Sequence, residues 1–320
     1  MKYIRLFLLP VASLVIFGAC QRYEFEDVSG CRQLFTAGGI IQPTLEEVYP
    51  GYKMIRFTGD AAIDEMSVVF VEEKRNRTRV LRHHLREGTT ETLLKRDEQI
   101  HTIDYSASGH LAFTFEQRLF LLPNGESSPD EVVTNQPVGN IKWRWQRDDL
   151  FCQTSQFSLM VIDQTGNVQD EYQFTTPILD FWASDDLLII ANLDSITAYR
   201  LPGRLPQWSF PVGEYFEGLG TVVQMSSHDI GVSGRVNAED VLSEVLFSTP
   251  EAVWAYELAS GEVRSLWTQY ECYVMEPGLF VSPLGTHFAT TLSFTHHITE
   301  KQFGLLVMQP EGPNEQILFP

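Results

Sequence analysis

Histidine is the residue type that first suggests chemistry in this chain, because it occurs in two adjacent pairs, His83-His84 and His296-His297, with His228 between them. Neighbouring side chains on a strand point to opposite faces, so neither pair alone chelates one ion. A metal site would need His228 or an acid carried in from another element, and no His-Glu-x-x-His spacing occurs. Solvated or hydrogen-bonded imidazoles are the expectation, with no metal and no cofactor. Ser226-Ser227-His228-Asp229 contains the residue types of a nucleophilic triad, yet triad members converge from separate elements and this run falls at an expected turn. The chain has no nucleophile elbow, no phosphate loop and no cysteine beside an activating histidine. No catalytic residue is assigned.

Charge offers a different use. Lys74, Arg75, Arg77 and Arg79 crowd one short segment, and the acids Glu239 and Asp240 lie in another. Such loops suit docking of a protein partner through complementary charge. Overall the balance is acidic, with a formal net charge of −19, and residues 1–19 hold Lys2 and Arg5 but no acid, so the remainder is more negative still. That surface repels phosphate backbones, and nucleic acid is excluded as a partner.

The elements that must carry these loops are strands. From Cys272 to Phe319 the chain reads as strand, tight turn at Ser282-Pro283-Leu284-Gly285, alternating strand, loop, aliphatic strand, turn at Pro310-Glu311-Gly312, and a short last strand. Weaker copies precede it, marked by turn glycines at Gly88, Gly125, Gly166, Gly203 and Gly261. Successive glycines, ending at Gly312, are 37, 41, 37, 58 and 51 residues apart, a period that fits four short strands with their turns. Amphipathic helices are nearly absent, so the sheets must cover one another around an axis. The expected fold is all-β, a six-bladed β-propeller over 49–320; a seven-bladed ring that splits the long fifth copy is the alternative. Residues 20–48 are expected to form a tether, in which Arg32 to Ala37 supplies a closing outer strand beside the last blade.

Loops between second and third strands share one face of such a ring. Three are expected to be long: Glu72 to Arg79 in copy one, about Arg235 to Glu251 in copy five, and Thr295 to Lys301 in copy six. Copies five, six and one would be neighbours, bringing Lys74, Arg75, Arg77, Arg79, Glu239, Asp240, His296 and His297 to one side as the partner-binding site. Within the copy-five insertion, Asn237 to Phe247 reads as a short helix with Asn237 as its cap.

At the N-terminus, Lys2 and Arg5 precede an apolar run from Leu6 to Phe17 and then Gly18-Ala19-Cys20. That pattern is a signal peptide, too short for a membrane span. With cysteine directly after Gly-Ala it resembles a bacterial lipoprotein signal, which implies cleavage after residue 19 and lipidation of Cys20. Phe17 departs from the usual leucine. Gln21, in place of an aspartate, implies the outer membrane, with the domain facing the periplasm or the cell surface and attached through its N-terminal lipid. In such a compartment one disulfide is expected among Cys31, Cys152 and Cys272. Cys152 reads as a buried strand residue, leaving Cys31 and Cys272 as the pair.

The turn Ser282-Pro283-Leu284-Gly285, the aliphatic strand that follows, and Ser106-Ala107-Ser108-Gly109 in copy two together resemble the repeat of the TolB-like six-bladed propellers, a WD40-like fold. Leu284 stands where that repeat carries aspartate, and the N-terminal domain of that family has no counterpart in residues 20–48. The resemblance implies the fold and leaves function open. Some six-bladed propellers are calcium-dependent lactonases or sugar hydrolases working from the axial funnel with acids and asparagines. Asp104, Asn140 and Asp180 are the residues here at matching first-strand positions, with structural hydrogen bonding as their expected use. Trp143, Trp145, Trp182, Trp208, Trp254 and Trp267 are expected in the core between blades, with Trp182 a candidate for exposure at a rim. The expected function is a lipid-anchored interaction platform of the cell envelope; the alternative is a calcium-dependent hydrolase or a small-ligand-binding propeller.

Overall fold

The computed structural model describes residues 40–41, 56–74, 77–192, 194–216, 230–237, 241–249, 252–268, 274–282, 286–297, 300–308 and 316–318. After β1 (Ile40–Ile41), a first sheet is built in sequence order from β2 (Arg56–Ile63), β3 (Ser67–Lys74), β4 (Arg77–His84) and β5 (Thr89–Arg96). A second follows from β6 (Ile100–Tyr105), β7 (Leu111–Phe115), β8 (Arg118–Leu122) and β9 (Asp130–Val132). The third contains β10 (Ile141–Trp143), β11 (Leu150–Ser155), β12 (Ser158–Ile162) and β13 (Val168–Gln173). The fourth contains β14 (Asp180–Ala183), β15 (Leu187–Ala191), β16 (Ser195–Arg200) and β17 (Leu205–Pro211). Then come β18 (Gly231–Val236), β19 (Leu242–Ser248), β20 (Ala252–Glu257) and β21 (Val263–Thr268), and finally β22 (Val274–Val281), β23 (Phe288–His297), β24 (Glu300–Met308) and β25 (Gln316–Leu318). β1 adds to the last sheet, pairing parallel with β25 through Ile40↔Gln316 and Ile41↔Ile317. Apart from that parallel pair every sheet is an antiparallel meander, and helix is limited to one 3₁₀ turn at Gly213–Phe216 among the described residues.

Position within a sheet dictates composition. First strands lie side by side in the order β2, β6, β10, β14, β18, β22, and β22 in turn lies beside β2. Middle strands are sandwiched between neighbouring sheets, so β7 (Leu-Ala-Phe-Thr-Phe) and β12 (Ser-Leu-Met-Val-Ile) are buried at every residue and read as continuous runs rather than alternating ones. Outer strands face water; in β13 only Tyr172 is buried. Turns between third and fourth strands carry the repeat's glycines, and Gly125 and Gly166 take left-handed backbone (φ 83° and 85°) that a side chain would strain. The sheets are thus the blades of a β-propeller.

The core is distributed between sheets. Val69, Val71 and Val80 of the first sheet pack on Ile103, Phe113 and Phe120 of the second. Ala112 and Leu121 meet Ile141, Leu150 and Met160, and Phe151 and Val161 meet Phe181 and Ile190. Trp182 and Ile189 meet Val232, Val245 and Phe247. Ile63, Val68 and Leu81 of the first sheet pack on Ala289 and Val307 of the last.

Several expectations need correction here. Leu242 to Phe247 is strand, not helix: these residues pair with β18 and β20, and Val245 to Phe247 are fully buried between them. The stretch from about Arg235 to Glu251, expected as a loop between second and third strands, holds β19, and the strand before it, β18, is the first of its sheet. The segment carrying Glu239 and Asp240 therefore joins first to second strand, at the opposite end of the sheet from the β3–β4 and β23–β24 turns. Those two turns are tight rather than long, since Lys74 pairs with Arg77 and His297 with Glu300. Arg79 does not belong to a loop. It lies in β4 opposite Glu72, and the two side chains form a buried ion pair. Trp182 is buried, not exposed at a rim. Arg32 to Ala37 lies outside the described residues.

Candidate functional site

First strands of five sheets border a cavity at the centre of the ring, lined by residues including Asp104, Asn140, Lys142, Trp143, Trp145 and Ser233. Its polar groups recur with the repeat. Asp104 on β6, Lys142 on β10 and Asp180 on β14 are each 38 residues apart, so successive first strands offer acid, base and acid in turn.

These groups hold adjacent sheets together. Asp180 Oδ2 accepts from Lys142 Nζ at 2.6 Å and from the Val232 backbone N–H at 2.7 Å, and Asp180 Oδ1 accepts from Asn140 Nδ2 at 2.9 Å. Lys142 Nζ also donates to the Val232 carbonyl at 3.1 Å. One carboxylate thus joins three sheets. Asp104 joins two sheets, β6 to β10: Oδ2 accepts the Trp143 N–H at 2.7 Å, while the Trp143 indole donates to the Asp104 carbonyl at 3.2 Å. A first strand at the crowded centre of a ring has no room to pair edge to edge with its neighbour, so side-chain acceptors take up its backbone donors.

Asp104 is electrostatically distinct. Desolvation by the surrounding strands pushes its carboxyl up to about 7; the Trp143 and Tyr105 N–H groups and the Lys142 charge pull the other way, and Asp180 reinforces the rise. It is therefore a proton-exchanging group near neutrality inside a cavity. Trp145 adds a second unusual feature: its ring packs 6.2 Å from that of Trp182, it is buried, and its Nε1–H has no acceptor among the described residues.

Cavity volume limits the chemistry. About 70 Å³ is less than half of the ~150 Å³ that admits a benzene-sized ligand, so a sugar or lactone substrate does not fit inside. Among the described residues no group of three or more His, Cys, Asp or Glu is placed to hold a metal ion.

At one end of the ring the turns after first strands are tied by charge. Arg144 donates to the Ser184 and Asp185 carbonyls at 2.9 and 2.6 Å, and Arg147 makes a two-pronged contact with the Asp185 carboxylate at 2.7 and 2.8 Å. The Arg147 hydrogen bond holds the Asp185 carboxyl below its usual range.

Of the residues singled out in the sequence, Asp104 and Asn140 line the cavity and Asp180 lies behind it, bonded to Asn140 and Lys142, while Lys142, which completes the set, shows its role only through the 38-residue spacing. His83 and His84 are neighbours on β4: His83 is buried against Thr90 at 2.8 Å, and His84 meets Glu91 at 3.3 Å. Burial and the neighbouring His84 lower the His83 pKa. Lys74 and Arg77 end the strands of one hairpin and His296 and His297 end a strand of another. Arg75, Glu239, Asp240, Cys20, Cys31, Cys272 and the Ser226 to Asp229 run lie outside the described residues. Cys152 is a free, buried thiol on β11.

No family model matches the sequence, and no curated protein does. Among solved structures, the chain is similar to one chain of a crystal structure of the mitotic checkpoint complex, with a TM-score of 0.48 and 10% identity over 85% of this chain and 78% of that one. It is also similar to the Neurospora crassa Pan2 WD40 domain, with a TM-score of 0.46 and 12% identity over 71% of this chain and 69% of that one.

Proposed function

We propose that this protein is a lipid-anchored, six-bladed β-propeller of the bacterial cell envelope, related in design to the TolB-like propellers, and that it works as a rigid platform for a protein partner. Lipidation at Cys20 would hold it to the outer membrane, with the ring facing the periplasm or the surface. The observation that carries the platform reading is a difference in strand length. Measured from the turn that closes its first strand, the second strand runs 8 residues in the first sheet and 10 in the last, against 5, 6, 5 and 7 in the second, third, fourth and fifth. The extra length collects at the β3–β4 and β23–β24 turns. Three further residues at about 3.3 Å each make a step of about 10 Å above the neighbouring blades. β22 lies beside β2, so the two tall blades are adjacent, and the hairpins whose sequences carry Lys74, Arg75, Arg77, His296 and His297 belong to neighbouring blades. A projecting ribbon whose sequence carries Lys74, Arg75 and Arg77, on an acidic protein, suits an acidic partner surface. Arg79 is withdrawn from this set by its pairing with Glu72, and Glu239 and Asp240 because they fall in the sequence between a first and a second strand.

Metabolic labelling with a palmitate analogue tests the anchor: label lost in Cys20→Ser supports it, and label retained contradicts it. The partner site is tested by charge reversal at Lys74, Arg75 and Arg77, which removes a crosslinked envelope protein without lowering the melting temperature.

A further inference from the structure

We propose that the seam where the first and last sheets meet is an acid-sensitive joint, closed while His83 and His287 are neutral and parted when they take up protons. Other neighbouring sheets follow one another along the chain; the first and last meet through packing and through β1, which precedes the first sheet and pairs with β25 of the last. His83 sits in the wall of this seam. It is 5% exposed, stands opposite Val68 and alternates with Leu81 and Leu85, and those three apolar residues pack on Ala289 and Val307 of the last sheet. Its Nδ1 meets Thr90 Oγ1 at 2.8 Å, and its Nε2 is buried with no hydrogen-bond partner among the described residues. A neutral ring can leave Nε2 as a bare acceptor. A protonated ring donates from both nitrogens, so it buries a charge together with an N–H that has no acceptor. His287 stands half-buried on the other side, in the turn that closes β22: its Nδ1 meets Thr286 Oγ1 at 2.9 Å and its backbone N–H donates to Ser282 Oγ at 3.0 Å. Glu65 and Asp64, in the matching turn of the first sheet, act on it across the seam.

The charges around these rings do not rescue the protonated form. Next to His83 on its own strand are His84, which lies 3.3 Å from Glu91 of β5, and Arg82, which is committed to Asp64 and turned over the Tyr105 ring of the second sheet. From the last sheet, Ala289 and Val307 bring no charge. Burial, with His84, holds the His83 pKa below its ordinary 6.5. Burial also lowers the His287 pKa, against the pull of Glu65 and Asp64. Both rings therefore take up protons more readily with the seam open, so its closure is complete above pH 6.5 and weakens as pH falls below that value. The β3–β4 and β23–β24 hairpins belong to these two sheets, so on the platform reading the partner site would divide in acid; the parting itself does not rest on that reading.

Hydrogen exchange of the full-length protein, read by mass spectrometry at pH 7.5 and pH 5.5 with labelling times scaled for the intrinsic pH dependence, tests the joint. Peptides over β3, β4 and β23 report the seam, and peptides over β11, β12 and β15 serve as the internal reference. The expected result is a loss of seam protection at the lower pH of up to about tenfold per histidine, with the reference strands unchanged. His83→Gln, which keeps a partner for Thr90, combined with His287→Gln should protect the seam equally at both pH values. Should that pair fail to fold, His287→Gln alone, at a half-buried position, should remove part of the response. Seam and reference strands that respond alike in the parent, or a response of parental size in either variant, overturns the proposal.

Discussion

Asp180→Ala removes the acceptor on which three sheets converge. Lys142, with a side chain 17% exposed, would lose its counter-ion, and the Val232 N–H and the Asn140 amide would each lose an acceptor. Removing one partner of a buried ion pair costs about 3–5 kcal/mol, and a buried N–H left unpaired costs about 1–3 kcal/mol. The contributions share one carboxylate and do not add, so about 3 kcal/mol is the floor. Domains of roughly this size lose about 2–4 °C per kcal/mol, which gives a fall in melting temperature of about 6–12 °C by differential scanning fluorimetry. Asp180→Asn keeps an acceptor for Val232 but no charge for Lys142, and should lie between the parent and the alanine variant. Adding Lys142→Met to Asp180→Ala removes the stranded cation and should recover part of the loss. A fall of less than about 2 °C in Asp180→Ala, or no recovery in the double variant, would refute the claim that this pair joins the sheets.

Asp104 makes a pH-dependent contribution of the opposite sign to that of a salt-bridged acid. Its folded carboxyl titrates at about 7 against an ordinary 3.8, so the folded state holds the extra proton between those values; the stability it gives is complete below 3.8 and lost as pH rises through 7. The melting temperature of Asp104→Asn should therefore gain on the parent as pH rises from 4 to 8, and a constant difference contradicts this. Gly231→Ala places a methyl group against the Leu279 backbone nitrogen and the Ser248 hydroxyl, where β22 crosses close to β18. Overpacking against backbone should cost about 1–3 kcal/mol in denaturant unfolding, and an unchanged midpoint would show that the strands part easily. Burial pushes the Cys152 thiol up, so in the native protein it should stay unreactive to a thiol reagent until denaturant is added.

The repeat was legible because its turn glycines, Gly88 to Gly261, recur for a physical reason: Gly125 and Gly166 sit where backbone twist demands positive φ. Copies two to four, with short turns, could be read strand by strand. Copy five could not. In Val241-Leu242-Ser243-Glu244-Val245-Leu246 the apolar residues satisfy helical spacing, and Asn237 looks like a cap, but Val245, Leu246 and Phe247 are buried between sheets on both sides, a constraint no local pattern carries. The same blindness affected Arg79. Hairpin length decides whether a charged residue lies at a tip or within the strand, and the β3–β4 hairpin runs far enough to enclose the Glu72 and Arg79 pair. In and behind the cavity, Asp104, Asn140 and Asp180 were visible as acceptors and donors at or beside first strands. Lys142 was not, because a single lysine in a strand gives no signal until its spacing from the two acids is noticed. The orphaned Trp145 N–H is a property of packing alone and has no trace in the sequence.

The platform reading is tested most directly by crosslinking in intact cells, comparing the parent with a Lys74→Glu, Arg75→Glu, Arg77→Glu variant of matched melting temperature. The account predicts a stoichiometric envelope protein crosslinked to the parent and lost from the variant. The same partner recovered equally by both, or no stoichiometric partner from the parent, would contradict it.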